Sequence, residues 1–133
     1  MDIATARPSK PVKVLAVFAA IFGIMTVFSG GSVLFGPDTA RAMAGNYLSF
    51  VVWFNFLAGF LYLAAAAGAW TGRGWAFGLA LLIALATGLV AVVFAYRIGQ
   101  GAAFETRTIG ALVLRTGFWT VSAMILRPAG RAA

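Results

Sequence analysis

Three stretches of about twenty residues carry no charge at all, and a fourth carries one. Val14 to Phe35 runs for 22 residues, Tyr47 to Trp70 for 24 and Gly74 to Tyr96 for 23; Thr108 to Leu126 runs for 19 and is broken only by Arg115. A bilayer core about 30 Å thick is crossed by a helix of about 20 apolar residues, so each run predicts one transmembrane span. Alternating apolar and polar residues, the mark of a membrane β-barrel, do not occur. The expected fold is an all-α integral membrane protein, four transmembrane helices in an antiparallel bundle. Residues 1–13 form a cytoplasmic N-terminal tail, 14–126 the transmembrane domain and 127–133 a cytoplasmic C-terminal tail.

Composition agrees. Hydrophobic residues make up 62% of the 133-residue chain and charged residues 10%, against about 25% charged in soluble domains. The net charge of +7 does not point to nucleic acid, because the basic residues lie between the apolar runs rather than on one face. They read instead as topology signals. Arg7, Lys10, Lys13, Arg73, Arg127 and Arg131 fall on one side, and Arg41, Arg97 and Arg107 on the other. Six against three places both termini in the cytoplasm. Tyr47 and Tyr96 then lie near the outer boundary, and Trp70 and Trp75 near the inner one, as interfacial aromatics do. Eight Arg against two Lys fits a GC-rich bacterial coding sequence, hence an inner-membrane location.

The first run follows three basic residues, and Ala42-Met43-Ala44 has the small-x-small form of a signal-peptidase site. Signal-peptide apolar regions span only about 7–15 residues. The expectation is an uncleaved first helix.

The connectors are short: Gly36 to Asn46, Thr71 to Arg73, and Arg97 to Arg107. They leave no room for a soluble domain. Thr71-Gly72-Arg73 forces the second and third spans into a tight hairpin. Helices in lipid gain nothing from burying apolar surface against each other and rely on small residues for close approach. Ala64 and Gly68 in the second span, Ala80, Ala84 and Gly88 in the third, and Gly110 and Gly117 in the fourth supply such residues at helical spacing. They are expected to form the bundle's seams, with one stripe left over for a neighbouring subunit as the sharper alternative.

Chemistry is scarce. There is no Cys or His and only three acids, which removes thiolate and imidazole metal sites, histidine-ligated haem and histidine acid–base catalysis. No catalytic, cofactor or metal site is expected. Arg115 stands apart, because a guanidinium stays charged and costs roughly 2.5–3.5 kcal/mol at the centre of a span. Counted at about 1.5 Å per residue from the outer boundary, Arg115, Asn55, Thr26 and Thr87 fall at nearly one level, one in each span. That convergence predicts a polar layer, in which Asn55 offers its amide oxygen to Arg115. A threonine in such a helix also commonly bonds its own backbone one turn back. The first-choice partner of Arg115 is Glu105, brought over the bundle by a loop made pliable by Gly99 and Gly101, so that Glu105, Arg107 and Arg115 form one ion network.

The functional expectation is a small non-enzymatic inner-membrane protein, an accessory or structural subunit of a larger complex. Its partners are the lipid bilayer and other membrane subunits or further copies of itself. The alternative is an oligomeric small transporter or channel that uses Arg115 as an anion or polar-substrate site.

Overall fold

A backbone in hydrocarbon has no water to bond, so it must satisfy its own N–H and C=O groups, and the helix does so within one segment. In the computed structural model, which describes residues 8–127, the chain forms five helices: α1 (Lys10–Phe35), α2 (Asp38–Ala44), α3 (Ser49–Trp70), α4 (Trp75–Gly99) and α5 (Thr106–Leu126). Four of them, α1, α3, α4 and α5, are long and apolar enough to cross a membrane. No strand occurs among the described residues. Arg7 and Arg131, which enter the charge count, lie outside the described residues.

Helix ends differ from the limits of the apolar runs because caps, not hydropathy, set them. α1 begins four residues before Val14, where Ser9 Oγ accepts the Val12 N–H and Pro11 occupies the first turn. α4 continues past Tyr96 and stops where Gly101 takes φ +97°; the Gly101 N–H bonds Ile98 O and the Ala102 N–H bonds Arg97 O. This is a Schellman closure, which favours glycine because of its positive φ. Gly99, expected in a pliable loop, is therefore helical. α3 ends the same way: Gly72 at φ +75° bonds Ala69 O, and the Arg73 N–H bonds Gly68 O at 2.8 Å. α5 starts at Thr106, which puts Arg107 in its first turn.

The connector between α1 and α3 is not a plain loop. Asp38-Thr39-Ala40-Arg41 starts a short helix after Pro37; Asp38 sits in the first turn of α2 and pairs with Arg41, whose other nitrogen donates to Val33 O.

The long helices make contacts in the order α1, α3, α4, α5. α1 packs most extensively on α3 and α4 on α5, while α1 and α5 barely touch. The core joins Ala19, Ala58, Tyr62, Ala65, Ala80, Ile83, Ala84, Trp119 and Ala123. Alanine dominates because close helix approach is what holds such a bundle. α1 and α3 approach closely where Gly23 meets Gly59. A Cβ on Gly59 would lie 2.7 Å from Val27 Cγ2 and 3.3 Å from Gly23 O.

Of the small residues expected in the seams, Ala80 and Ala84 are in the core, and Gly68 lies under the Trp75 ring. Ala64, Gly110 and Gly117 are not in a seam of this chain: all three face outward, and a Cβ on Gly110, Gly117 or Gly88 would meet nothing within 4 Å. Spacing alone does not say which way a stripe faces.

Candidate functional site

α5 carries Arg115 half-buried at mid-helix, and its side chain crosses to the two helices opposite. Nη1 donates to Thr26 Oγ1 of α1 at 2.9 Å and to Tyr62 OH of α3 at 3.3 Å. The guanidinium carbon lies 4.9 Å from the centre of the Phe22 ring and 6.0 Å from that of Tyr62. Phe22 in turn meets Phe118 edge-on at 5.4 Å. Hydrogen bonds to a charged group contribute about 1.5–3 kcal/mol each, and a desolvated cation over an aromatic face about 2. Together these offset the insertion cost of roughly 2.5–3.5 kcal/mol without any acid.

The expected ion network is not formed. Glu105 Oε2 instead accepts the backbone N–H of Asn46 at 2.9 Å, and its carboxylate fills the space beside Gly45 (φ +72°). Arg107 Nη2 donates to the carbonyls of Met43 (2.8 Å) and Ala44 (3.2 Å). Glu105, just before α5, and Arg107, in its first turn, thus clamp the end of α2, one taking the Asn46 N–H just beyond it and the other its orphan carbonyls. Helix ends leave such groups unpaired, and they outcompete Arg115 because they lie closer. Among the described residues the only ion pair is Asp38 with Arg41.

The polar layer is partly assembled. Thr26 is buried and joins Arg115. Thr87 is buried on α4 and donates to its own Ile83 O at 2.7 Å. Asn55 makes no bond to Arg115; its Oδ1 is sealed from solvent without a partner, as is Arg115 Nε. Tyr62, fully buried, is the partner that sequence reading passed over. It lies seven residues from Asn55, two turns along the same helix face, and that was the available signal.

Above Arg115 the poor contact between α1 and α5 leaves a cavity of about 740 Å³. α1 contributes Thr26, Ser29 and Ser32; α3 contributes Asn55, with Tyr47 from the connector before it; α5 contributes Arg107, Thr108 and Arg115; and α2 lies across one end through Ala40, Met43 and Ala44. Phe28, Val33 and Val52 give it apolar wall. On the other side of Arg115, Tyr62, Ile83 and Trp119 are packed with almost no accessible surface. The lining offers two cations, hydroxyls and an amide, with no carboxylate. Such a set holds and orients a polar or anionic group; it contains no pairing of nucleophile and base. Compared with known proteins, the chain matches no family model, no curated protein and no solved structure.

Proposed function

We propose that this chain is a non-enzymatic inner-membrane protein, an antiparallel four-span bundle with both termini in the cytoplasm, that serves as an accessory or structural subunit of a larger membrane assembly. The observation that carries the reading is the outward face of α4 and α5. Gly88, Gly110 and Gly117 leave open space where lipid-facing helices ordinarily carry large apolar side chains, and a groove of about 500 Å³ runs between the two helices beside Gly88, Leu85 and Thr120. Exposed small residues in a span suit the close approach of another helix. A lone chain has no open path past Tyr62, Ile83 and Trp119, which favours a contact role over passage.

Native mass spectrometry from the protein's own membrane tests this. The expected result is a heteromeric mass that Gly88→Leu and Gly117→Leu reduce to the monomer while each variant keeps its helical content. A monomer or a symmetric homo-oligomer from the unaltered chain would overturn it and bring forward the transporter reading.

A further inference from the structure

The long helices follow one another in the order α1, α3, α4, α5, and the ring is not closed, because α1 and α5 barely meet. Phe22 and Phe118 bridge the gap edge-on at 5.4 Å. On the side of that bridge away from Arg115 the gap is a groove of about 500 Å³. Its walls are Val14 and Leu15 of α1 and Phe118, Val121 and Ile125 of α5, and Lys10, the first residue of α1, stands at its mouth. From Phe118 to Ile125 it follows α5 for about 10 Å.

The lining decides what fits. Ser122, its one hydroxyl, donates to Phe118 O at 2.7 Å, so the walls ask an occupant for hydrocarbon alone. Helix seams in lipid are built on small residues that let backbones close, as Ala19, Ala58 and Gly59 do in this bundle. Here branched and aromatic side chains stand in the way, and a helix is about 10–12 Å across. Val14 and Val121 keep 49% and 52% of their surface exposed, flanking a slot that a thin, flexible chain fills and a helix does not. The mouth adds charge. Lys10 is exposed, and the same end of the bundle carries Lys13 over the Trp70 ring, Arg73 in the α3–α4 turn and Arg127 after α5. Asp38 and Glu105 lie beyond the opposite ends of α1 and α5; Asp2 lies outside the described residues. Basic residues at a membrane surface attract anionic headgroups.

We propose that the groove between α1 and α5 is a binding site for an anionic phospholipid: one acyl chain lies between Val14, Leu15, Phe118, Val121 and Ile125, and the headgroup phosphate meets the Lys10 ammonium at the mouth. The lipid completes the seam that the two helices leave open. A zwitterionic lipid carries the same phosphate, but its own ammonium offsets the charge that Lys10 meets. The groove beside Gly88, offered above to another subunit, is lined instead by Thr116, Thr120 and Met124, so the lipid site does not rest on the subunit role.

The test is native mass spectrometry of the full chain in detergent micelles that contain equal amounts of phosphatidylglycerol and phosphatidylcholine with matched acyl chains. The retained lipids are counted by mass. The parent should retain phosphatidylglycerol in preference by about fivefold, the effect of one surface lysine on an anionic headgroup. Lys10→Gln should bring that ratio close to one. Arg73→Gln removes the same charge from an exposed turn at the same end and should leave the ratio unchanged. Val121→Phe fills the groove, keeps every charge, and should reduce retention of both lipids. Lys10 and Val121 are exposed, so both variants should keep the parent's helical content by circular dichroism. Equal losses of preference in Lys10→Gln and Arg73→Gln would mean diffuse attraction to a basic surface, and undiminished retention in Val121→Phe would place the lipid elsewhere. Either result overturns the proposal, as does a parent without preference.

Discussion

Helix α1 makes two contrasting contacts, a close one with α3 and a sparse one with α5. Toward α3 it presents Gly23 and Gly30, and the backbones approach until a Cβ on Gly23 would lie 3.1 Å from Gly59 O and one on Gly30 would lie 3.2 Å from Phe56 Cα. Toward α5 it presents Phe22, Thr26 and Ser29, and the helices meet through long side chains, Phe22 on Phe118 and Thr26 on Arg115, leaving the cavity beside them. One seam is made of backbone and admits nothing. The other is made of long side chains and leaves polar atoms unpaired. Helices without a hydrophobic drive to associate hold together where small residues let them close, so the close packing of α1 lies on its α3 side and the open cavity on its α5 side.

The largest effect should come from forcing the tight seam open. Gly59→Val sets a branched side chain against Val27, where even a Cβ would sit 2.7 Å from Cγ2 and 3.1 Å from the backbone nitrogen. Backbone cannot step aside as a flexible side chain can, so the expected loss is about 3 kcal/mol, the upper end for overpacking. Reversible unfolding in mixed detergent micelles measures it. A loss under about 1 kcal/mol would mean that α1 and α3 separate freely, and the contrast between the seams would fail.

That contrast was only half legible in the sequence. The four spans were readable because hydrophobic length needs no knowledge of neighbours. α2 was not: Asp38 to Ala44 is seven residues, below the length at which periodicity says anything, and its end is held by Glu105 and Arg107, some sixty positions away. Gly23, Gly30 and Gly59 were as visible as Gly110 and Gly117. Which of them meets a partner depends on how each helix is rotated, and apolar residues all round a membrane helix erase the moment that would show it. Counting depth along the helix placed Thr26 at the level of Arg115, without making it the partner, and missed Tyr62, 15 residues beyond Tyr47 and thus roughly 22 Å along the axis. Helical side chains lean toward the N-terminus, and the tyrosine's length carries its hydroxyl back up to the arginine.

Two thermodynamic cycles sharpen the open seam. Thr26→Val and Arg115→Gln remove the two ends of one hydrogen bond of 2.9 Å, so the double change should be less damaging than the sum by about 1–2 kcal/mol. Glu105→Gln weakens the clamp on Asn46 at a cost of about 1 kcal/mol, and combined with Arg115→Gln it should be additive within about 0.5 kcal/mol. Coupling of Arg115 to Glu105 that exceeds its coupling to Thr26 would restore the ion network and relocate the charge's partner outside the bundle.

The smallest effect is the most discriminating, because one substitution is made on two faces. Gly23→Ala introduces a Cβ 2.9 Å from Leu63 and 3.1 Å from Gly59 O, and should cost over 1 kcal/mol in the purified chain. Gly117→Ala introduces a Cβ that meets nothing within 4 Å. Only intrinsic propensity remains there, and alanine is favoured over glycine by up to about 1 kcal/mol in water, less where lipid already enforces the helix. The purified Gly117→Ala chain should therefore be unchanged or gain about 0.5 kcal/mol. Opposite signs from an identical change place the first glycine in a seam made by this chain and the second on a surface the chain does not itself use. If Gly117→Ala destabilises the isolated chain as Gly23→Ala does, α5 has a packing partner within the bundle, and the outward face loses its claim as a contact for another subunit.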